Sequence, residues 1–299
     1  MRNKFAKTIF EEIKKNNKIF VVAADISPSG DMAKYQKYAK NFINVGVAEQ
    51  SMISMCAGLA MSGMKPFAYT IATFAVFRPF EMIRDDVCYQ NLPVTIIGMG
   101  SGTTYANLGG THTATEDIAV LRSLPNMQIL SPCDPEELEE CIRYCARKSK
   151  FPTYIRIGKT GESTFTKKIK KKWLFGKIRQ IKNGNNICIL THGPIMNLAI
   201  EASKKIKKKI SIYLCHTLKP FDNVGLKKIF NKYERIVVLE DHSIIGGLSN
   251  IVKNKAYDFK YKKKITTFSL KDQFIHEFSS QTNLQNKHGI NLKKILDEI

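Results

Sequence analysis

Acidic residues are scarce in this 299-residue chain: 26 Asp and Glu stand against 47 Lys and Arg, a formal net charge of +21. Such an imbalance raises nucleic-acid binding as a reading. The densest run, KKIKKKW at 167–173, argues against it, with no aromatics interleaved on a sheet and no recognition-helix pattern. Charge alone yields only non-specific attraction. A solvated lysine-rich surface is the plainer reading, it suits anionic metabolites, and no nucleic-acid partner is expected. No apolar run reaches the ~18 residues of a membrane-spanning helix, so no membrane partner is expected either. The opening MRNKFAKTIFEEIKKNNKIF lacks the apolar stretch and small-residue cleavage site of a secretory signal. Seven cysteines form no CxxC pair and no zinc spacing, and Cys141 and Cys145, one helical turn apart, read as packing. That pattern suits a reducing, cytoplasmic compartment. Also missing are a Walker A loop, a GxSxG nucleophile elbow and a GxGxxG fingerprint.

What is present is globular: 43% hydrophobic and 24% charged residues, with length enough for two domains. FAKTIFEEIKKN has helical spacing, and KIFVVAAD (18–25), followed by the turn residues SPSG, reads as a buried parallel strand. The alternation continues with helix 48–63 ending at Gly63, strand KPFAYTI, helix FRPFEMIRDDVCYQN and strand LPVTIIGMG. Helix TEDIAVLRSLP, strand MQILSP, a helix capped by Asp134 with Pro135 in its first turn, and strand FPTYIRIG complete the first half. Residues 161–185 break the rhythm and read as a basic linker with a hairpin edge. A second alternating unit follows: strands NICILTHG, KISIYLCHT, ERIVVLEDH and KITTFSL, with helices between them and a last helix in NLKKILDEI. The expected fold is α/β: two doubly wound domains with mainly parallel sheets, at 1–160 and 186–299, joined by that linker.

Several motifs carry chemistry or mimic it. In FINVGVAEQSM (42–52) the acid Glu49 interrupts small and apolar residues. An ionised carboxylate there is costly unless it is paired, or unless it meets a ligand. GMGSG (98–102) looks like a phosphate loop without the spacing of one, at a strand's C-terminal end where open sheets bind ligands. His112, in THTATED after LGG, is a site candidate or an exposed structural histidine. Phe74, Phe77 and Phe80, three apart in TFAVFRPF, are core residues or the border of a cofactor. His242 in EDHSIIGGL has no nucleophile motif beside it and reads as a structural or interface residue.

Taken in order, the stretch from NVGVAEQ to GMGSG, then GGTHTATEDIAVLRSLPNMQILSPCDPEEL and FPTYIRIGK, resembles the pyrimidine-binding domain of transketolases. VVLEDHSIIGGL resembles their C-terminal domain. The resemblance runs from the first residue to about 295, and it is nearest to the C-terminal subunit of split transketolases. It implies thiamine diphosphate as cofactor, with Glu49 facing N1′ of the aminopyrimidine, and Phe74, Phe77 and Phe80 lining that ring. A carboxyl in a dry pocket is raised in pKa and can share a proton with a ring nitrogen. His112 matches a substrate-contacting histidine of the family. Lys159 stands where relatives carry an arginine for the substrate phosphate, keeping the charge without the bidentate fork.

Two departures qualify this picture. Transketolases carry Glu-Asp where this chain has Asn107 and Leu108, and the missing Asp reads the acceptor's hydroxyl. The chain also has no GDG motif for Mg²⁺ and the diphosphate; the nearest string is GDM at 30–32. The resemblance therefore implies no metal ligands here, and an N-terminal partner subunit carrying GDG and Mg²⁺, in an α2β2 hetero-oligomer with a shared site. Alternatives are a subunit resembling deoxyxylulose-phosphate synthase or an oxoacid-decarboxylating enzyme, and a regulatory protein that kept the fold and lost the chemistry.

Overall fold

The computed structural model describes residues 1–25, 31–36, 40–169, 172–206, 209–274 and 276–299. The expected turn at 27–30 and residues 170–171 of the basic run lie outside these. The first sheet takes β1 (Ile19–Ala23), β2 (Phe42–Asn44), β3 (Lys65–Ile71), β4 (Thr95–Met99), β5 (Gln128–Leu130) and β6 (Thr153–Ile157), all mutually parallel. The second takes β7 (Arg179–Lys182), β8 (Asn185–Thr191), β9 (Ile210–Leu214), β11 (Arg235–Ser243) and β12 (Lys264–Leu270). Between β9 and β11 the chain leaves this sheet: β10 (Thr217–Lys219) pairs antiparallel with β5 and makes the edge of the first sheet. The orders are β10-β5-β6-β4-β3-β1-β2 and β12-β11-β8-β9-β7. Both sheets are thus parallel with one antiparallel edge strand, a mixed α/β architecture of the expected class.

The apolar runs become strands because both faces of each sheet are covered. In the first sheet, Val21, Phe67, Ile97 and Ile155 point to one apolar cluster, and Val22, Ala68, Ile96 and Tyr154 point to another. The second of these clusters continues through Leu190, Ile236 and Val238 of the second sheet. A continuous core therefore joins the two halves, with each fully buried Ile or Leu contributing about 1.5–3 kcal/mol. Cys141 and Cys145 are buried in the first cluster, as their spacing implied.

Local signals act as read. Asp134 accepts from the Glu137 N–H at 2.8 Å and starts helix Pro135–Arg147. The same carboxylate accepts from the N–H groups of Phe165 and Thr166 at 2.7 and 2.6 Å, which fastens the segment after β6. Gly63 takes φ +80° just beyond helix Glu49–Met61, a conformation that glycine adopts without strain. Two expectations need correction. The helix read over 77–91 starts only after Pro79, as a short α-helical turn at Phe80–Met82, and continues as a π-helical stretch, Ile83–Tyr89. The strand read over 209–217 stops at Leu214, because Ser131 N–H binds the His216 carbonyl at 2.7 Å and draws the chain to the first sheet.

A buried polar seam fixes the loop after β4. Arg156, from β6, pairs with Asp117 at 2.9 Å and donates to the Asp241 carbonyl at 2.8 Å. Tyr154 Oη donates to Asp117 at 2.7 Å. The Asp241 carboxylate accepts from Thr103 N–H and Oγ1 at 3.0 and 2.8 Å. A Cβ on Gly102 would lie 2.4 Å from that carboxylate, and one on Gly100 would lie 1.9 Å from the Tyr105 ring. The glycines of GMGSG thus permit close packing of the loop.

Candidate active site

The predicted site residues follow β2, β3, β4 and β6, of which β6, β4 and β3 are adjacent and β2 lies beyond β1. Glu49 opens helix Glu49–Met61 after β2, Phe74 lies on the short helix after β3, and His112 on the loop after β4. Lys159 follows β6. All lie beyond the carboxyl ends of parallel strands, where open α/β sheets place ligands.

Side-chain contacts link them in a row. Glu49 is 2% exposed, and its Oε1 accepts from Arg78 Nη1 at 2.8 Å. The Arg78 guanidinium, half in solvent, stacks 4.0 Å from the Phe74 ring centroid. Phe74 meets the His112 ring edge-on at 5.2 Å. His112 Nδ1 lies 2.9 Å from Thr111 Oγ1, and its ring stands 6.5 Å from Tyr105. The Lys159 ammonium sits 4.9 Å over the Tyr105 ring. Burial raises the Tyr105 pKa, so the phenol stays neutral and its hydroxyl rests on Met99 Sδ at 2.9 Å.

The phenylalanines are not equivalent. Phe74 is in the row, Phe77 is 39% exposed, and Phe80 packs against the core. Leu108 is 41% exposed on the same loop as His112. Sequence reasoning missed Arg78 and Tyr105. Arg78 was visible as a cation inside FRPF, shortly after the aromatic Phe74 on which it stacks. Tyr105 carried no signal beyond its place in the loop.

The second histidine candidate belongs elsewhere. His242 is fully buried; its Nε2 accepts from Ala119 N–H at 3.3 Å, and its Nδ1 lies 2.8 Å from the Ser243 carbonyl. Its neighbour Glu240 caps helix Leu248–Asp258 by accepting from the N–H groups of Leu248 and Ser249 at 2.6 and 2.9 Å. Burial opposes that charge, yet His192, His242 and Ser249 hold the Glu240 pKa down to about 2. Ser131 Oγ and His192 Nδ1 are 2.9 Å apart beside it, a nucleophile–base pairing in outline. All three side chains are sealed from solvent, so no substrate reaches them.

The fold and this row define an α/β protein with a candidate ligand site at its strand ends, built around a buried acid, aromatic rings and two part-exposed cations. Residues 1–161 match the family described as transketolase, pyrimidine binding domain, and residues 176–295 match transketolase, C-terminal domain. A putative transketolase C-terminal section of Methanocaldococcus jannaschii is 33% identical, over 92% of this chain and 87% of that protein. One of the subunits of an apulose-4-phosphate transketolase from Phocaeicola vulgatus is 31% identical, over 84% and 81%. A solved structure described as split gene transketolase, inactive beta4 tetramer, superposes with a TM-score of 0.86 at 30% identity, covering 99% of this chain and 95% of that one. The chain also matches 1-deoxy-D-xylulose-5-phosphate synthases, of which it spans about half the length. The chain belongs to the transketolase family, as a split-type subunit made of the pyrimidine-binding and C-terminal domains.

Proposed function

We propose that this chain is the pyrimidine-binding subunit of a thiamine-diphosphate-dependent transketolase, moving a two-carbon ketol unit from a ketose or ketose phosphate to an aldehyde. The observation that carries this reading is the contact row from Glu49 through Phe74 and His112 to Lys159 along the carboxyl ends of one parallel sheet. The division at 1–160, 161–185 and 186–299 is part of the proposal. So is a reducing cytoplasm, which the buried, unpaired cysteines suit.

The residues fit the aminopyrimidine end of the cofactor. Glu49 is a buried acid beside aromatic faces, and Thr73 Oγ1, next to Phe74, is buried with no hydrogen-bond partner among the described residues. When bound, thiamine diphosphate supplies a thiazolium electron sink for the two-carbon unit. Glu49 holds and returns a proton at the ring's N1′, exchanging the Arg78 contact for the ring nitrogen. Phe74 and Phe77 orient the flat ring by offset stacking, and Phe80 backs them from the core. His112, with Nδ1 engaged by Thr111, hydrogen-bonds substrate oxygens. Lys159, seated on Tyr105, attracts the substrate phosphate. Leu108 offers an apolar surface to the acceptor where relatives offer a carboxylate.

The diphosphate and Mg²⁺ belong, in this reading, to an N-terminal partner subunit carrying GDG, in an α2β2 assembly with each site built across an interface. The exposed apolar side chains Val47, Met55, Phe77 and Leu108, on the segments that carry the site, support a partner surface. The synthase matches keep a second reading, a deoxyxylulose-phosphate-synthase-like subunit that decarboxylates a 2-oxoacid. The test mixes this chain with a purified GDG-bearing subunit, thiamine diphosphate and Mg²⁺. Ketol transfer and a larger species by light scattering should appear only in the mixture. Carbon dioxide release from a 2-oxoacid would favour the second reading, and turnover of a ketose by this chain alone would sink the split-subunit proposal.

A further inference from the structure

We propose that the cleft between residues 172–180 and helix Asn223–Lys232 binds a small polyanion bearing two or more phosphate charges on a flat or apolar body, the chemical class of a nucleoside diphosphate. The cleft has a volume of about 440 Å³, within the range of small-molecule sites. Lys172, Lys177, Lys228 and Lys232 line it, and among the described residues the one carboxylate in the lining is Asp222. That carboxylate is already spent within the protein. It accepts from the N–H groups of Ile178 and Gly225 at 3.1 and 3.0 Å, and Lys177 lies 3.5 Å from it. Lys172 and Lys228 are exposed and have no acidic partner among the described residues. Like charges gathered in one concave wall repel each other and focus a positive field. A polyanion relieves that repulsion.

The wall that carries Lys172 and Lys177 is anchored. Trp173 stacks on His216 at 5.0 Å, Phe175 stacks on Tyr144 at 4.3 Å, and Gly176 N–H donates to Thr217 Oγ1 at 3.1 Å. The cations are therefore presented by fastened backbone. The body of the ligand is argued from what stands beside them. Leu174 and Val224, 54% and 63% exposed, lie in the lining with Tyr213 and Ile229. His216 also lines the cleft; its Nδ1 is engaged by Thr217, and its buried Nε2 has no hydrogen-bond partner among the described residues. None of these residues belongs to the Glu49–Lys159 row.

Trp173 is the chain's one tryptophan, so its fluorescence reports on this wall. The full chain is titrated in 150 mM NaCl with ADP, inorganic pyrophosphate and adenosine. ADP should give a saturable change, with pyrophosphate and adenosine each at least tenfold weaker. The exposed pair Lys172→Glu and Lys228→Glu should weaken ADP at least tenfold with unchanged circular dichroism, while Lys159→Ala and the surface pair Lys7→Glu and Lys253→Glu should leave it unchanged. Absence of saturable ADP binding would overturn the proposal. Equal weakening by the surface pair would reduce it to general charge attraction. Loss in Lys159→Ala alone would move the binding to the strand-end crevice, and pyrophosphate as tight as ADP would remove the apolar body from the proposed ligand.

Discussion

The strand-end crevice and the seam between the domains both bury an acid beside an arginine, and they differ in what closes over the pair. In the seam, Asp117 and Arg156 are both enclosed, and Tyr154, Ala114 and Asp241 add hydrogen bonds to the pair. In the crevice, Glu49 is enclosed while Arg78 lies half in solvent, stacked on a ring that leads to an exposed loop. A charge pair enclosed on both sides holds a fold together and is out of a ligand's reach. A pair with one free side can exchange partners. The contrast is a matter of access rather than of residue type.

The sharpest break of this comparison is a matched pair of substitutions. Glu49→Gln, assayed in the reconstituted two-subunit enzyme, should lower turnover by about 10²–10⁴-fold, the size of a lost acid–base group. Its urea unfolding free energy should stay within about 1 kcal/mol of the parent chain. Arg156→Met should do the reverse to the fold, costing about 3–5 kcal/mol because Asp117 is left buried and unpaired. Glu49→Gln enzyme with normal turnover, or an Arg156→Met chain as stable as its parent, would erase the distinction.

A second test uses two buried groups that flank Arg179. Burial lifts the Glu137 pKa to about 7, over the opposing Cys133 N–H and the Arg179 contact at 3.5 Å. Burial, with Arg179 nearby, lowers His216 to about 3. The raised Glu137 stabilises the fold fully below about 4.5 and loses that contribution as pH rises through about 7. The depressed His216 stabilises it above about 6.5 and loses that contribution as pH falls toward about 3. Between pH 7.5 and 5.0 the two offset. Glu137→Gln should therefore lose about 2 kcal/mol over that fall in pH, and His216→Gln should gain about 2 kcal/mol, by linkage. Urea titrations at the two pH values decide; parallel behaviour of the two variants would refute the assignment.

Smaller effects belong to the exposed rim of the crevice. Lys159→Ala should raise KM for a phosphorylated ketose by about tenfold or more with kcat little changed, as expected for binding that is equal in ground and transition states. An equal loss on an unphosphorylated donor would take Lys159 off the phosphate. Leu108→Asp should improve the preference for an α-hydroxyaldehyde over its deoxy analogue by about tenfold, the worth of one hydrogen bond. No change in that ratio would place Leu108 outside the acceptor's reach.

Much of the fold was legible in the chain. The strands at 65–71 and 264–270 have the limits their apolar runs imply, and the Asp134 cap and the Gly63 stop lie where read. These signals are local: a cap or an apolar alternation acts within a few residues. One break came where a distant contact overrides local ones. Cys215–Thr217 read as the end of a strand, and instead the chain crosses to the other sheet and pairs at Thr217–Lys219, because Ser131 holds the His216 carbonyl. The helix read over 77–91 differs for a local reason, since Pro79 delays its start to Phe80, and its π-helical stretch at Ile83–Tyr89 carried no signal in the sequence.

The site divides along the same line. Glu49, Phe74, His112 and Lys159 stood out by residue type and motif, each on its own short segment. The sequence by itself determined that an acid sits among apolar neighbours, that two α/β units follow one another, and that positive charge is in excess. Only the tertiary structure decided that Arg78 and Tyr105 bridge the row, that Phe80 serves the core while Phe77 faces solvent, and that Arg156 rather than Lys159 is locked into the seam. The reason is physical. Side-chain periodicity sets which face a residue occupies, but which faces meet depends on strand order and on packing between residues far apart in the chain, such as Thr103 and Asp241.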